Sequence, residues 1–424
     1  MKASEIKVKI NNGALEKYAK LYDSTDGQKD RFSSLIDTFI SLYGDTEAQL
    51  LSVPGRSEIS GNHTDHNHGC VLAGAINRDV IAIAAKNKDG VIRIYSEGYE
   101  REEIILCDCF DPKNFERYTS ASLIAGTVGG FKLRGYEVGG FDIAITSDVL
   151  KGSGISSSAA FEVMIGNALN HLYNEGVIPN TEIAKLAQYA ENAYFGKPCG
   201  LMDQMACAVG GFVYIDFADS ENPEVTPIDF SLDEEGYALC IVNTGGNHAD
   251  LNEDYASVPR EMKAVARELQ REVLCGACED ELIANIHSLR ERVGDRAVLR
   301  ALHFMRENKR VKKAKNALID KNLEAFFEAI NESGNSSFKY LQNVYTTENV
   351  SEQGLSLALA LAEGYLSGNG ASRVHGGGFA GTVQIFVRKE QIDGLVKLMD
   401  SVFGKGAAMM FNVRPVGAIM LEFD

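Results

Sequence analysis

A mixed α and β protein of two domains is what this sequence predicts, and three observations carry that expectation. The chain has 424 residues, beyond the size at which one hydrophobic core stops growing. Hydrophobic residues make up 45% and charged residues 24%, the balance of an ordinary globular protein with a sizeable core. Short β-like runs alternate with helical stretches early on, whereas residues 255 to 367 read almost throughout as amphipathic helix. That change of texture places a boundary near residue 220, with one domain over 1–220 and a second over 221–424.

Taken in order, residues up to about 50 set Leu15, Tyr18, Leu21, Phe32, Leu35 and Phe39 among charges at helical spacing. β-like runs follow at VLAGAI (71–76), RDVIAIAA (78–85), GVIRIYS (90–96) and EEIILC (102–107). The stretch ASLIAGTVGGFKLRG then reads as helix and FDIAITS as strand. A loop rich in Gly and Ser after Ser147 leads into a helix from Ser157 to Tyr173 and a second from Thr181 to Tyr194. GFVYIDF and YALCIVN are expected strands ahead of the helical half, and GTVQIFV and VGAIMLEF bracket a last helix near 389–402.

The formal net charge of −17 argues against general attraction to nucleic acid or anionic lipid. An anionic ligand must therefore be held by local cations and backbone amides. Lys309, Arg310, Lys312, Lys313 and Lys315 form the one basic run, without interleaved aromatics to stack on bases, and read as a solvated helix surface. No apolar run reaches the roughly 20 residues needed to cross a bilayer, and the start MKASEIKVKINNG lacks a secretory core. A cytoplasmic protein, monomeric or weakly self-associating, is expected. The eight cysteines read as scattered thiols, because neither Cys275-x-x-Cys278 nor Cys107-x-Cys109 has a second pair at ribbon-like spacing.

Chemistry concentrates in four stretches. Residues 61–69, GNHTDHNHG, put His63, His66 and His68 beside Asp65, which raises a metal site, yet their spacing follows neither a helix face nor a strand face. Residues 152–160, GSGISSSAA, precede an apolar-periodic helix. Small residues there allow close backbone wrapping, and a helix N-terminus suits phosphate, although a Ser-rich cap without a ligand has the same appearance. Glu191 lies near a helix end and Asp203 follows Pro198 and Gly200 among apolar neighbours, where a carboxylate needs a partner or a task. Residues 375–381, HGGGFAG, permit close approach to a ligand or to another loop.

In this order the stretches resemble the GHMP small-molecule kinases, and among them the galactokinases, over Pro54 to Gly381. Pro54-Gly55-Arg56 with GNHTDHNHG is similar to the galactokinase signature Gly-Arg-x-Asn-Leu-Ile-Gly-Glu-His-Thr-Asp-Tyr-Asn. Asn243-Thr244, His248 and Tyr255 keep a further family spacing. The resemblance implies a two-lobed α+β GHMP kinase fold, with an N-terminal ribosomal protein S5 domain 2-like lobe, a C-terminal ferredoxin-like α/β sandwich lobe and the active site between them. It implies ATP and Mg²⁺, and phosphorylation of the anomeric hydroxyl of galactose or a close derivative. Arg56 and Asp203 would be catalytic; Asn62, His63, Asp65, Gly200 and Tyr255 would bind sugar. Gly152, Ser153, Gly154, Ile155, Ser156, Ser157 and Ser158 would cradle phosphate, and Ser157, Ser158 and Glu191 would hold the metal.

The departures concern the sugar. Asn62 stands where the family has a Glu that meets the C6 hydroxyl, His66 replaces Tyr, and Glu58-Ile59-Ser60 replaces Asn-Leu-Ile. A neutral Asn62 would not repel an acidic C6 group, so galacturonate is an alternative substrate. A catalytically silent sugar sensor is another reading, which Arg56, Glu191 and Asp203 together oppose.

Overall fold

The computed structural model describes residues 1–22, 24–149, 154–197, 199–246 and 251–423. Helices α1 (Ala3–Asn11) and α2 (Gln28–Tyr43) flank a 3₁₀ segment, Ala14–Leu21, and precede β1 (Gln49–Ser60), β2 (Cys70–Lys86), β3 (Val91–Ser96) and β4 (Glu102–Ile105). Next come α3 (Ser120–Leu133), β5 (Phe141–Ser147), α4 (Ser157–Tyr173), α5 (Asn180–Tyr189), α6 (Met202–Val209), β6 (Phe212–Asp216), β7 (Glu224–Ile228) and β8 (Tyr237–Asn243). The helical stretch holds α7 (Asn252–Glu268), α8 (Glu279–Ala284), α9 (Ile286–Val293), α10 (Asp295–Ile319), α11 (Leu323–Ser336) and α12 (Gly354–Leu366). The chain closes with β9 (Ala371–His375), β10 (Thr382–Arg388), α13 (Ile392–Phe403), β11 (Ala408–Phe411) and β12 (Ile419–Leu421).

Two sheets organise these elements. The larger runs β12-β1-β2-β5-β3-β4, with β6 and then β7 added along β2, and the smaller is an antiparallel β11-β8-β10-β9. VLAGAI and RDVIAIAA, expected as two strands, are one: β2 pairs with β6 through Cys70–Gly74 and with β5 through Val80–Lys86. Residue 220 lies between β6 and β7, both strands of the larger sheet, and β12 brings the end of the chain back to that sheet.

Alternation along β2 explains the N-terminal helices. Ile81, Ile83 and Ala85 pack with Ile6, Ile10, Leu21, Phe32 and Phe39, whereas Val80, Ala82 and Ala84 face the main core. Successive side chains leave a strand on opposite faces, so the sheet has two apolar faces to cover. Helices α3 and α4 serve one, and α1 and α2 serve the other. The expected Thr181–Tyr194 helix is α only to Tyr189 and continues as a π-helical turn, Ala190–Phe195.

The basic run lies on α10 with its charges met by acids: Lys309 on Glu279, Arg310 on Glu307, Lys312 on Asp216, Lys313 on Glu328 and Lys315 on Glu224. Among the described residues no helix is long and apolar enough to cross a membrane.

Candidate active site

Strand β1 is irregular where it matters. Its pairing with β2 slips between Pro54 and Arg56, the signature of a bulge that re-aims a side chain. A Cβ on Gly55 would lie 2.8 Å from the Ile155 carbonyl oxygen, so only glycine lets the loop before α4 settle on the strand. The Arg56 amide then donates to that same carbonyl at 3.1 Å. Ser156, the residue before α4, has φ of +57°, a left-handed conformation unusual outside glycine and typical of functional sites.

Arg56 and Asp203, 147 residues apart, meet in a two-pronged ion pair: Nε donates to Oδ1 and Nη2 to Oδ2, each at 2.7 Å. Arg56 Nη1 donates to the Gly154 carbonyl, and the Ser156 hydroxyl donates to Asp203 Oδ2. Asp203 occupies the first turn of α6, where the helix dipole also favours negative charge. Burial pushes its carboxyl up, but the Arg56 charge and the hydrogen bonds from Arg56 and Ser156 outweigh that and hold it below the usual carboxylate range. The carboxylate is therefore ionised at neutral pH.

Beside this pair is a cavity of about 160 Å³ lined by Arg56, Glu58, Asn62, His63, Asp65, His66, Met202, Gly376 and Gly377 among others. It has room for one small polar molecule. The loop carrying GNHTDHNHG makes a single 3₁₀ turn, Asp65–Asn67. His63 bonds the Gly377 carbonyl at 2.9 Å, and burial lowers its pKa to about 4, so it is neutral. Asp65 lines the cavity opposite Gly200, where a Cβ would come within 2.3 Å of its carboxylate. The Tyr255 hydroxyl donates to the Gly378 carbonyl at 2.8 Å. The glycine run of residues 376–378 thus turns three successive carbonyls toward Asn62, His63 and Tyr255; its close approach is to another loop. Among the described residues no group of three or more His, Cys, Asp or Glu could hold a metal ion.

Asn62 is fully engaged. Its Nδ2 donates to Glu58 at 3.0 Å and to the Gly376 carbonyl at 2.7 Å, while its Oδ1 accepts from Asn343 at 2.7 Å and Ser337 at 3.3 Å. An amide has two donors and two lone pairs, so none is left over. Glu58 shows in the sequence only as a departure from the signature, without a role, and Arg373, His303 and Asn343 carry no local pattern, because they reach this site from β9, α10 and the segment after α11.

Glu191 sits in the π-helical turn with Oε1 on Lys197 at 3.1 Å and Oε2 on Gln204 at 2.9 Å. Gln204 also bonds Glu162 at 3.1 Å. Ser158 and Glu162 are four apart on α4 and share a face. Beside the start of α4 opens a second cavity of about 600 Å³, lined by the apolar Ile94, Ile124, Ile145, Val149 and Phe161, by Glu97, Glu100 and Glu102, and by Ser157 and Ser158 among others. Gly152, Ser153 and His248 lie outside the described residues.

Comparison with known proteins shows the family and the fold. The family profile "GHMP kinases N terminal domain" matches residues 120–211, and "Galactokinase galactose-binding signature" matches residues 37–86. A galactokinase of Clostridium tetani is 30% identical over 375 residues, covering 87% of this chain and 91% of that protein. The chain belongs to the galactokinase family. A galactokinase of Streptomyces coelicolor is 29% identical, covering 89% of this chain and 95% of that protein. The crystal structure of Lactococcus lactis galactokinase complexed with galactose superposes with a TM-score of 0.77 at 25% identity, over 91% of this chain and 99% of that one. A mevalonate kinase crystal structure shares the fold at a TM-score of 0.60 and 18% identity, over 87% and 99% of the two chains. Like other galactokinase-family chains, this one therefore has the two-lobed GHMP kinase fold.

Proposed function

We propose that this chain transfers the γ-phosphoryl group of ATP to the anomeric hydroxyl of galactose. The observation that carries the reading is Arg56 on the wall of a monosaccharide-sized cavity, ion-paired to Asp203 beside it, with the pair held at the same time by the Gly154–Ser156 loop that begins α4. Asp203, ionised and fixed by two guanidinium bonds, takes the proton of the anomeric hydroxyl as its oxygen bonds to the γ-phosphorus. The bond from that phosphorus to the bridging oxygen breaks and ADP leaves. Negative charge spreads over the moving phosphoryl, and the positive field of Arg56 and the N-terminus of α4 oppose it. The apolar part of the cavity beside Ser157 suits a nucleobase, with the phosphates directed to the start of α4.

The residues present fit Mg²⁺. Glu191 and a serine hydroxyl supply hard oxygen donors, and this ion is commonly held by one or two carboxylates together with substrate phosphates. Of the two serines, Ser158 shares its face of α4 with Glu162, whose partner Gln204 also bonds Glu191. When bound, the ion would neutralise charge on the phosphates. Every residue the reading uses comes from one chain, so a monomer suffices, and a cytoplasmic setting suits an ATP-dependent enzyme.

Galacturonate is disfavoured as substrate: Asn62 is neutral, but the Glu58 carboxylate lines the same cavity, and an acidic sugar would meet like charge there. The test is ADP release with galactose, N-acetylgalactosamine, galacturonate and glucose. Galactose should give the highest kcat/KM and galacturonate no measurable turnover. Absence of ADP release with every sugar would overturn the reading.

A further inference from the structure

We propose that Glu58, and not Asn62, is the side chain that reads a sugar hydroxyl in this chain; the inference rests on the sugar-kinase reading above and specifies how that site chooses its substrate. In the sequence, an acid and an amide have changed places relative to the galactokinase signature: Glu58 stands for its Asn and Asn62 for its Glu. The structure shows the two side chains bonded to each other, Asn62 Nδ2 donating to Glu58 Oε1 at 3.0 Å. The carboxylate has moved four residues along the chain without leaving the cavity.

The hydrogen-bond accounting separates their roles. Asn62 has no donor or acceptor to spare, since four protein partners fill its amide. Glu58 Oε1 accepts from Asn62 and, at 3.1 Å, from the fully buried Arg373. Its Oε2 has no donor among the described residues, although Glu58 is only 6% exposed and lines the cavity. Burial pushes the Glu58 carboxyl up against the pull of Arg373 and Arg56, as expected for a charge short of donors. Oε2 is not among the sealed-off polar atoms, which leaves it accessible from the cavity that Glu58 lines, and a ligand hydroxyl that donates to it gains a charge-assisted hydrogen bond.

Geometry indicates which hydroxyl. Arg56 and Glu58 are two apart on β1, in a stretch whose pairing with Ala75 and Ala73 is regular. They therefore leave the same face of the strand, about 6.6 Å apart along it. Arg56 marks the reacting end of the cavity, so Glu58 stands at the edge of the sugar ring remote from the anomeric carbon. Its partner is the hydroxyl on C4 or C6.

The test measures binding by calorimetry for the unaltered protein and for Glu58→Gln, using galactose and its 2-deoxy, 4-deoxy and 6-deoxy forms. Glu58→Gln should weaken galactose binding about 10- to 100-fold, the worth of a hydrogen bond to a charged acceptor, and leave the KM for ATP unchanged. The same loss should appear with 2-deoxygalactose and vanish for whichever of the 4-deoxy and 6-deoxy sugars lacks the hydroxyl read by Glu58. A folded Glu58→Gln protein with the parental galactose affinity, or equal losses for all four sugars, would overturn the proposal. Thermal unfolding reports whether the variant folds despite altering the Arg373 pair. Should it not, Glu58→Asn combined with Asn62→Glu decides: regained galactose binding supports the proposal, and a folded double variant without it overturns the proposal. A parent protein that binds no sugar would instead bring down the sugar-kinase reading and this inference with it.

Discussion

Two aspartates on either side of β1 are held by arginine and serine in nearly the same way, yet they do opposite things. Asp79 is wholly buried: Arg31 reaches it at 2.6 Å, Arg414 at 3.0 Å and the Tyr22 hydroxyl at 2.7 Å, with Ser52 as a further donor. Asp203 has one arginine and one serine, and its side chain is 34% exposed. Both carboxyls are held below their usual range by the guanidinium charges, against burial. The difference is the open side. A carboxylate whose lone pairs are all used by protein donors ties elements together, here the N-terminal segment, β1, β2 and the tail after β11. One with a side left to the cleft can take a proton from a ligand.

Substitutions at the two positions should therefore separate stability from turnover. Asp79→Asn removes the counter-charge of two largely buried arginines and should cost about 3–5 kcal/mol of unfolding free energy, read by urea denaturation, with a much smaller effect on turnover per folded molecule. A loss of activity without a loss of stability would erase the contrast. Asp203→Asn should weigh the other way: turnover falls by a factor on the order of 10² or more with sugar and ATP binding little changed, and the loss of stability is the smaller of the two, because Asp203 counters one arginine and its side chain is 34% exposed. Retained turnover would remove Asp203 from its role.

The smallest effect concerns pH. Burial lowers the pKa of His303 to about 4 and that of His375 to about 3, against roughly 6.5 in an unfolded chain. Their folded pKa values are depressed, so the stability they contribute is complete above pH 6.5 and is lost as pH falls toward 4. Each should cost about 1.4 kcal/mol per pH unit within that window. Neither aspartate gains a proton there, because both already titrate below the usual range. The melting temperature should thus fall between pH 6.5 and 4.5 while Asp203 stays ionised; a flat melting profile would mean that these histidines are protonated in the folded protein.

What the sequence made legible follows from where the information sits. Arg56 and Asp203 were readable because they lie in short motifs of unusual composition. Strand β1 was not, since Pro54, Gly55, Arg56, Ser57 and Glu58 contain none of the alternation of a half-exposed strand, yet all are buried. Their polar groups go inside because each meets a partner from elsewhere in the chain: Arg56 meets Asp203, Glu58 meets Arg373, and Ser57 meets His375. Pattern reading assigns such residues to the surface. The N-terminal helices were visible as amphipathic segments, but which face they cover depends on β2 alternation, and β2 itself was split in two at the polar Asn77. The full engagement of Asn62 could not be read either, as its partners Asn343 and Gly376 lie far along the chain.

The pairing of β12 with β1, Leu50 opposite Leu421 and Ser52 opposite Ile419, has a consequence for biosynthesis. Until residues 419–421 leave the ribosome, the strand that bears Arg56 has a bare edge, a template for unwanted association. Closing it joins Leu50 to Leu421, a long-range, slow and entropically demanding step. Nascent chains should therefore remain vulnerable to self-association until translation has delivered that closing strand.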